Sequence, residues 1–232
     1  MLNWLLKFFY IAGASVCHQL PERSFFAGIL KNPLCARCEG IYLGFFLSAI
    51  ILFSMFRKKE SDIAPLYVLL ILTGFILSTV ADGVLSYFAV ITTNNVSRFV
   101  TGFLAGSAAV TIVYPVFNYN YYAVAQPGKI FSKPWHFAVF LAAILLLILA
   151  GLSGFKVFSY FYFSISALSE IFTFYFINLI LVLLIPFFMK KADRLFSRFL
   201  AVPSVIALFL SGVELFISYR LHLLALNFAG RI

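Results

Sequence analysis

Apolar residues in this chain come in long unbroken runs with short polar breaks. They do not form the stripes of period 3.6 or 2 that mark half-buried helices and strands. A helix crossing a bilayer needs roughly 20 apolar residues, because the hydrocarbon core is about 30 Å thick and a helix rises about 1.5 Å per residue. Six runs meet that length: Gly40 to Phe56, Ala64 to Ile91, Phe99 to Phe117, Trp135 to Phe155, Ile171 to Met189 and Phe199 to Tyr219. Residues 157–170 are also apolar but carry Ser159, Ser164, Ser166 and Ser169 among many aromatics. Joined to the fifth run they exceed a simple span, so the pattern predicts a re-entrant or interfacial piece there. Met1 to Val16 is apolar but short and holds Lys7, which predicts an interfacial or tilted helix, with a cleaved signal peptide as the alternative. The fold class expected is all-α: a polytopic transmembrane helix bundle of about six spans plus an N-terminal helix. A segment 1–39 precedes a helical bundle 40–232, the two forming a single domain overall.

Composition agrees. Of 232 residues, 63% are hydrophobic and 11% charged, against about half and a quarter in a soluble chain. Little chain remains for a soluble domain, so the net charge of +9 is a signal of membrane orientation and not of nucleic-acid binding. Arg57, Lys58 and Lys59 crowd one span end, and Lys190, Lys191, Arg194 and Arg198 another. Such clusters face the cytoplasm. The expected location is therefore the cell membrane, multi-pass, with membrane lipids as the partners and the N-terminal cysteines on the extracytoplasmic side.

Few polar residues interrupt the runs, and their depths agree. Asp82, Glu170 and Glu214 each lie about 24–30 Å along a helix from the basic end at about 1.5 Å per residue. Asn95 and Arg98 begin the third span at that same level. Ionised groups within a membrane are costly and usually line a cavity, so these five residues are candidates for a polar cavity, with Asp82 and Arg98 the catalytic candidates. The plainer alternative pairs Asp82 with Arg98 to hold two helices and lets the two glutamates snorkel to the interface.

The chain's three cysteines all fall between positions 17 and 38, and His18, one of three histidines, adjoins the first. Cys35-Ala36-Arg37-Cys38 places two thiolates within reach of one tetrahedral ion, and Cys3His is an established zinc set. Cys17, His18, Cys35 and Cys38 are thus the expected ligands of a zinc-like ion. Adjacent residues rarely both ligate one ion, so either Cys17 or His18 is expected to coordinate while the other supports it. The alternatives are thiol–disulfide exchange at Cys35 and Cys38 with Cys17 as resolving thiol, or buried cysteines with no role. Covalent haem is excluded because Glu39, and not histidine, follows Cys38.

Cys17-His18-Gln19, Pro21-Glu22-Arg23-Ser24-Phe25, Cys35-Ala36-Arg37-Cys38 and Gly40-Ile41-Tyr42-x-Gly44 resemble the signature of a family of prokaryotic predicted membrane proteins, domain of unknown function 2085. The likeness extends through Asp82-Gly83 and Asn95-x-x-Arg98-x-x-Thr101-Gly102. Glu39 departs from that pattern, where a small hydroxyl residue is commoner. The resemblance implies an architecture and a motif and no activity. Two functional classes stay open: a membrane-embedded enzyme acting on a lipid-like substrate, or a transporter or redox protein. Gly40-x-x-x-Gly44 and Gly102-x-x-x-Gly106 further predict a close helix–helix approach beside Arg98.

Overall fold

A computed structural model describes residues 2–56, 60–88 and 90–229. The basic triplet Arg57, Lys58, Lys59 and the terminal Arg231 lie outside the described residues. Seven α-helices follow in order: α1 Leu2–Val16, α2 Ala36–Met55, α3 Leu66–Tyr87, α4 Asn95–Tyr121, α5 Pro134–Leu152, α6 Lys156–Leu183 and α7 Ala201–Ala229. Six helical segments, those of α2 to α7, are long and apolar enough to cross a membrane among the described residues. The fifteen residues of α1 span about 22 Å, short of a crossing. This helix lies on α7 and α6, turning Phe9, Ala12 and Ser15 inward.

The bundle is organised around α2, which packs along α4 on one side and α6 on the other. Glycines make the α2–α4 seam. A Cβ added to Gly44 would sit 2.2 Å from the Phe103 carbonyl oxygen, and one on Gly106 would sit 1.9 Å from that of Ile41. Only bare backbone permits such an approach, and contact of this kind holds helices together in lipid, where burial supplies little drive. The seam also buries the Ser48–Ser107 hydroxyl pair at 2.8 Å. Helices α3 and α7 flank the bundle and expose long apolar faces, as lipid requires.

One expectation is corrected. Residues 157–170 are neither re-entrant nor interfacial: α6 runs unbroken for 28 residues, about 42 Å. Its hydroxyls do not break it, because each folds back onto its own helix. Ser164 donates to the Tyr160 carbonyl at 2.7 Å, Ser166 to Phe163 at 2.9 Å and Thr173 to Ser169 at 2.8 Å. The same span ends earlier than expected, at Leu183 and not Met189, because Pro186 lacks an N–H and disfavours helix in the residue before it.

The two ends of the bundle differ. At one end the breaks after α2, α4 and α6 are stitched together. Strand β3 (Glu60–Asp62) pairs parallel with β4 (Gln126–Lys129), and the Ala192 N–H reaches the Tyr121 carbonyl at 3.1 Å. The other end carries residues 17–35, folded over the starts of α2 and α4. There a 3-10 turn, Pro21–Arg23, leads into a two-residue hairpin, β1 (Phe26–Ala27) with β2 (Leu30–Lys31).

Candidate functional site

Cys17 follows the last turn of α1. Gln19 then adopts a left-handed backbone (φ 52°), a conformation most side chains avoid, and this turn brings its N–H to 3.4 Å from the Cys17 sulfur. The Gln19 amide offsets the strain by donating to the carbonyls of Tyr10 (2.8 Å) and Pro33 (2.7 Å), tying α1 to the loop that enters α2. Gly13 admits that loop, since a Cβ there would meet the Pro33 oxygen at 2.1 Å. Cys35 caps the N-terminus of α2, and its own N–H points to the Cys17 sulfur at 3.2 Å. Two backbone donors therefore converge on one thiol. Cys17 lies within hydrogen-bond reach of both Cys35 and Cys38, and all three are free thiols. The hydrogen bond to Cys17, together with burial, pushes the Cys35 thiol up. For Cys17 the Cys35 contact pulls down, but the Cys38 contact and burial outweigh it and raise the thiol to about 11.

These thiols line one wall of a cavity of about 160 Å³, with His18 at its rim. Three arginines line it too: Arg23 from the 3-10 turn, Arg37 from the first turn of α2 and Arg98 from the first turn of α4. The alternative pairing of Asp82 with Arg98 is not what forms. Asp82 on α3 binds Arg37, whose Nε donates to Oδ2 at 3.0 Å while Nη2 reaches the same oxygen. Gly83 lies beside the pair, where a Cβ would make ordinary contact with the guanidinium at 3.8 Å. Arg98 instead donates to Thr93 Oγ1 at 3.0 Å and to Asn95 Oδ1 at 3.5 Å. Asn95 in turn reaches toward the carbonyls of Glu22 and Ser24, so it holds the 3-10 turn against α4. Asp82 thus joins the cavity through Arg37, and Arg98 joins it directly.

The remaining sequence candidates divide. Glu170 does not snorkel. It is fully buried beneath the cysteines, accepts a hydrogen bond from Ser15 at 3.1 Å and lies within electrostatic range of Cys38 and Tyr42. Glu214 lies apart from the cavity, between α6 and α7, and accepts from the buried Asn178 amide at 2.8 Å. The His18 ring rests edge-on against His222 at 5.5 Å. Among the described residues, no group of three or more His, Cys, Asp or Glu side chains is arranged to hold a metal ion. Arg23 and Arg37, absent from the sequence candidates, are central here. Their signal was position: Arg23 lies between Cys17 and Cys35 in the chain, and Arg37 stands inside the Cys-x-x-Cys motif.

A six-span helical membrane protein with a thiol- and arginine-lined cavity at one end of the bundle is the class these features define. The chain belongs to the family described as predicted membrane protein, domain of unknown function 2085, whose profile matches residues 17–112. That stretch holds every residue named above as lining the cavity. An uncharacterized protein of Methanocaldococcus jannaschii is 34% identical over 108 residues, which are 47% of this chain and 67% of the relative. An uncharacterized protein of Methanothermobacter thermautotrophicus is 37% identical over 91 residues, which are 39% of this chain and 78% of the relative. No solved structure matches the chain.

Proposed function

We propose that this membrane protein binds a small oxyanion, free or as the phosphate of a lipid headgroup, in the cavity beside its cysteines. One observation carries the reading: three guanidinium groups line about 160 Å³, and Asp82 is the sole carboxylate paired with them among the described residues. Clustered arginines repel one another, and Arg37 and Arg98 each carry N–H donors beyond those bound to Asp82, Thr93 and Asn95. A tetrahedral oxyanion relieves the repulsion and accepts those donors in pairs. Thermal unfolding in detergent with inorganic phosphate or sulfate, against chloride at equal ionic strength, tests this. Phosphate should raise the midpoint, and Arg98→Gln should weaken the effect about tenfold or more, as expected for a lost charged hydrogen bond. Nanodiscs of phosphatidylglycerol against a phosphate-free glycolipid separate a headgroup from a free ion. No response to phosphate, sulfate or phospholipid would sink the reading.

A soft metal ion at the three sulfurs, zinc first, is the second reading. Its support is the Cys17 sulfur, which accepts two backbone N–H groups and touches both other thiols. Such donors favour a thiolate against the opposing pull of burial and Cys38, and coordination requires the thiolate form. Binding would draw the sulfurs around a common point. The pH profile discriminates. With no metal the native state holds the Cys35 proton more tightly than the unfolded chain, whose value is near 9. That contribution is complete below about pH 9 and is lost as pH rises. A bound metal reverses the sign, because protons compete with it as pH falls. Elemental analysis beside thiol counting settles the remainder: no metal and one free thiol means a disulfide.

A further inference from the structure

A second cavity, of about 190 Å³, lies on the other flank of the β1–β2 hairpin and is lined by Asn32, Glu39, Phe25, Phe99 and Tyr162 among others. Glu39 stands in the first turn of α2 and is 1% exposed, and Asn32 is 3% exposed. The Asn32 amide donates to Glu39 Oε1 at 2.6 Å. Glu39 Oε2 and Asn32 Oδ1 have no hydrogen-bond partner. Two acceptors are thus orphaned at one buried place, where each unmet group costs about 1–3 kcal/mol and a carboxylate more. Among the described residues none of the lining side chains is Lys or Arg, so the protein offers this carboxylate no counter-charge. Phe25, Phe26, Phe99 and Tyr162 also line the cavity. Phe25 meets Phe99 edge-on at 5.6 Å, and Phe99 lies 6.3 Å from Tyr162. The Tyr162 hydroxyl is committed to the Leu147 carbonyl at 2.7 Å, which leaves its ring to the cavity.

We infer that this cavity binds an organic ammonium group, with Glu39 as counter-ion, Asn32 Oδ1 as a second acceptor and the three rings as its wall. The chemistry selects that class. Two oxygens are too few for calcium, which takes six to eight, or for magnesium in its octahedron. An ammonium bearing carbon substituents places its charge against the carboxylate and its polarised C–H groups against ring faces, where the quadrupole attracts cations. The volume admits a methylated or primary ammonium, free or as the end of a lipid headgroup. The site is independent of the arginine cavity, which takes the opposite charge.

The test is thermal unfolding of the full chain in non-ionic detergent, with tetramethylammonium or methylammonium chloride against sodium chloride at equal ionic strength. One of the two should raise the midpoint by about 5 °C at a hundredfold excess over its dissociation constant. Glu39→Gln should abolish the rise, and Phe99→Leu should weaken binding several-fold. A free amine is the ligand if the soluble salts act. A headgroup is the ligand if only nanodiscs of phosphatidylethanolamine or phosphatidylcholine act, against phosphatidylglycerol, and the effect depends on Glu39. A rise that survives Glu39→Gln overturns the inference. So does the absence of any rise together with an infrared carbonyl band of a protonated acid that Glu39→Gln removes. In that outcome Glu39 carries a proton and closes a ring with the Asn32 amide.

Discussion

Removing Asp82 leaves the Arg37 guanidinium at the edge of an apolar bundle without its counter-charge. Its side chain is 25% exposed, so water screens part of the loss, and Asp82→Asn should cost about 2–3 kcal/mol, at or below the usual range for breaking a buried pair. Charge reversal identifies the partner. Arg37→Asp with Asp82→Arg should recover more of the thermal midpoint in detergent than Arg98→Asp with Asp82→Arg, because Arg98 is anchored on Thr93 and Asn95. If the second pair recovers more, the assignment is wrong. Asp82 was visible in the sequence as a charge within an apolar run. Arg37 was not, because a cation at a span end reads as a topology signal and its partner lies 45 positions away. The cysteines were visible by spacing. The cavity they share with Arg23 and Arg98 was not, since it depends on a left-handed turn at Gln19 that no pattern in the chain marks.

The α2–α4 seam fixes where Arg37 and Arg98 stand relative to one another, so the cavity depends on glycines that never touch it. Gly106→Ala would force a Cβ into the Ile41 backbone, where no side chain can move aside. Overpacking should cost about 3 kcal/mol or more and open the cavity as the helices part. Gly74 is the control: a Cβ there meets nothing within 4 Å, and Gly74→Ala should be neutral or gain up to about 1 kcal/mol in helix propensity. Thermal unfolding in detergent checks both, and equal losses at the two positions would refute the seam. Both glycine pairs were legible four residues apart, and so were six apolar spans. Span ends were less so. Hydropathy does not register that Ser164, Ser166 and Thr173 satisfy themselves on their own helix, so α6 looked broken where it is continuous. It also ran the span through Pro186, where backbone geometry stops it.

Charge on the two ends predicts an orientation for the molecule once the fold is known. Counted along the chain, Lys and Arg divide almost evenly between the two sides. In the structure they differ in kind. Arg23, Arg37 and Arg98 gather around one cavity, and Arg37 is neutralised by Asp82. At the stitched end Lys190 lies 3.9 Å above the Tyr119 ring and Lys191 lies 4.3 Å above that of Phe187, the arrangement of cations and aromatics found at a membrane interface. Discounting the cavity arginines leaves the excess of positive charge at the stitched end, so the positive-inside rule predicts that end in the cytoplasm and the cysteines outside, which labelling checks. Val124 at the stitched end is 75% exposed, and Phe155 at the cysteine end is 67% exposed, so each can carry a reporter. With Cys17, Cys35 and Cys38 replaced by serine, an impermeant maleimide should label Phe155→Cys in intact cells. Val124→Cys should be labelled only after permeabilisation. If the serine background fails to accumulate, the wild-type chain supplies the baseline: Cys17 and Cys35 are buried, and labelling of the partly buried Cys38 is measured on the wild-type chain itself and subtracted. The opposite labelling pattern would turn the molecule over. The arginine cavity would then draw its oxyanion from the cytoplasm, and its thiols would face a reducing compartment in which a Cys35–Cys38 disulfide does not persist.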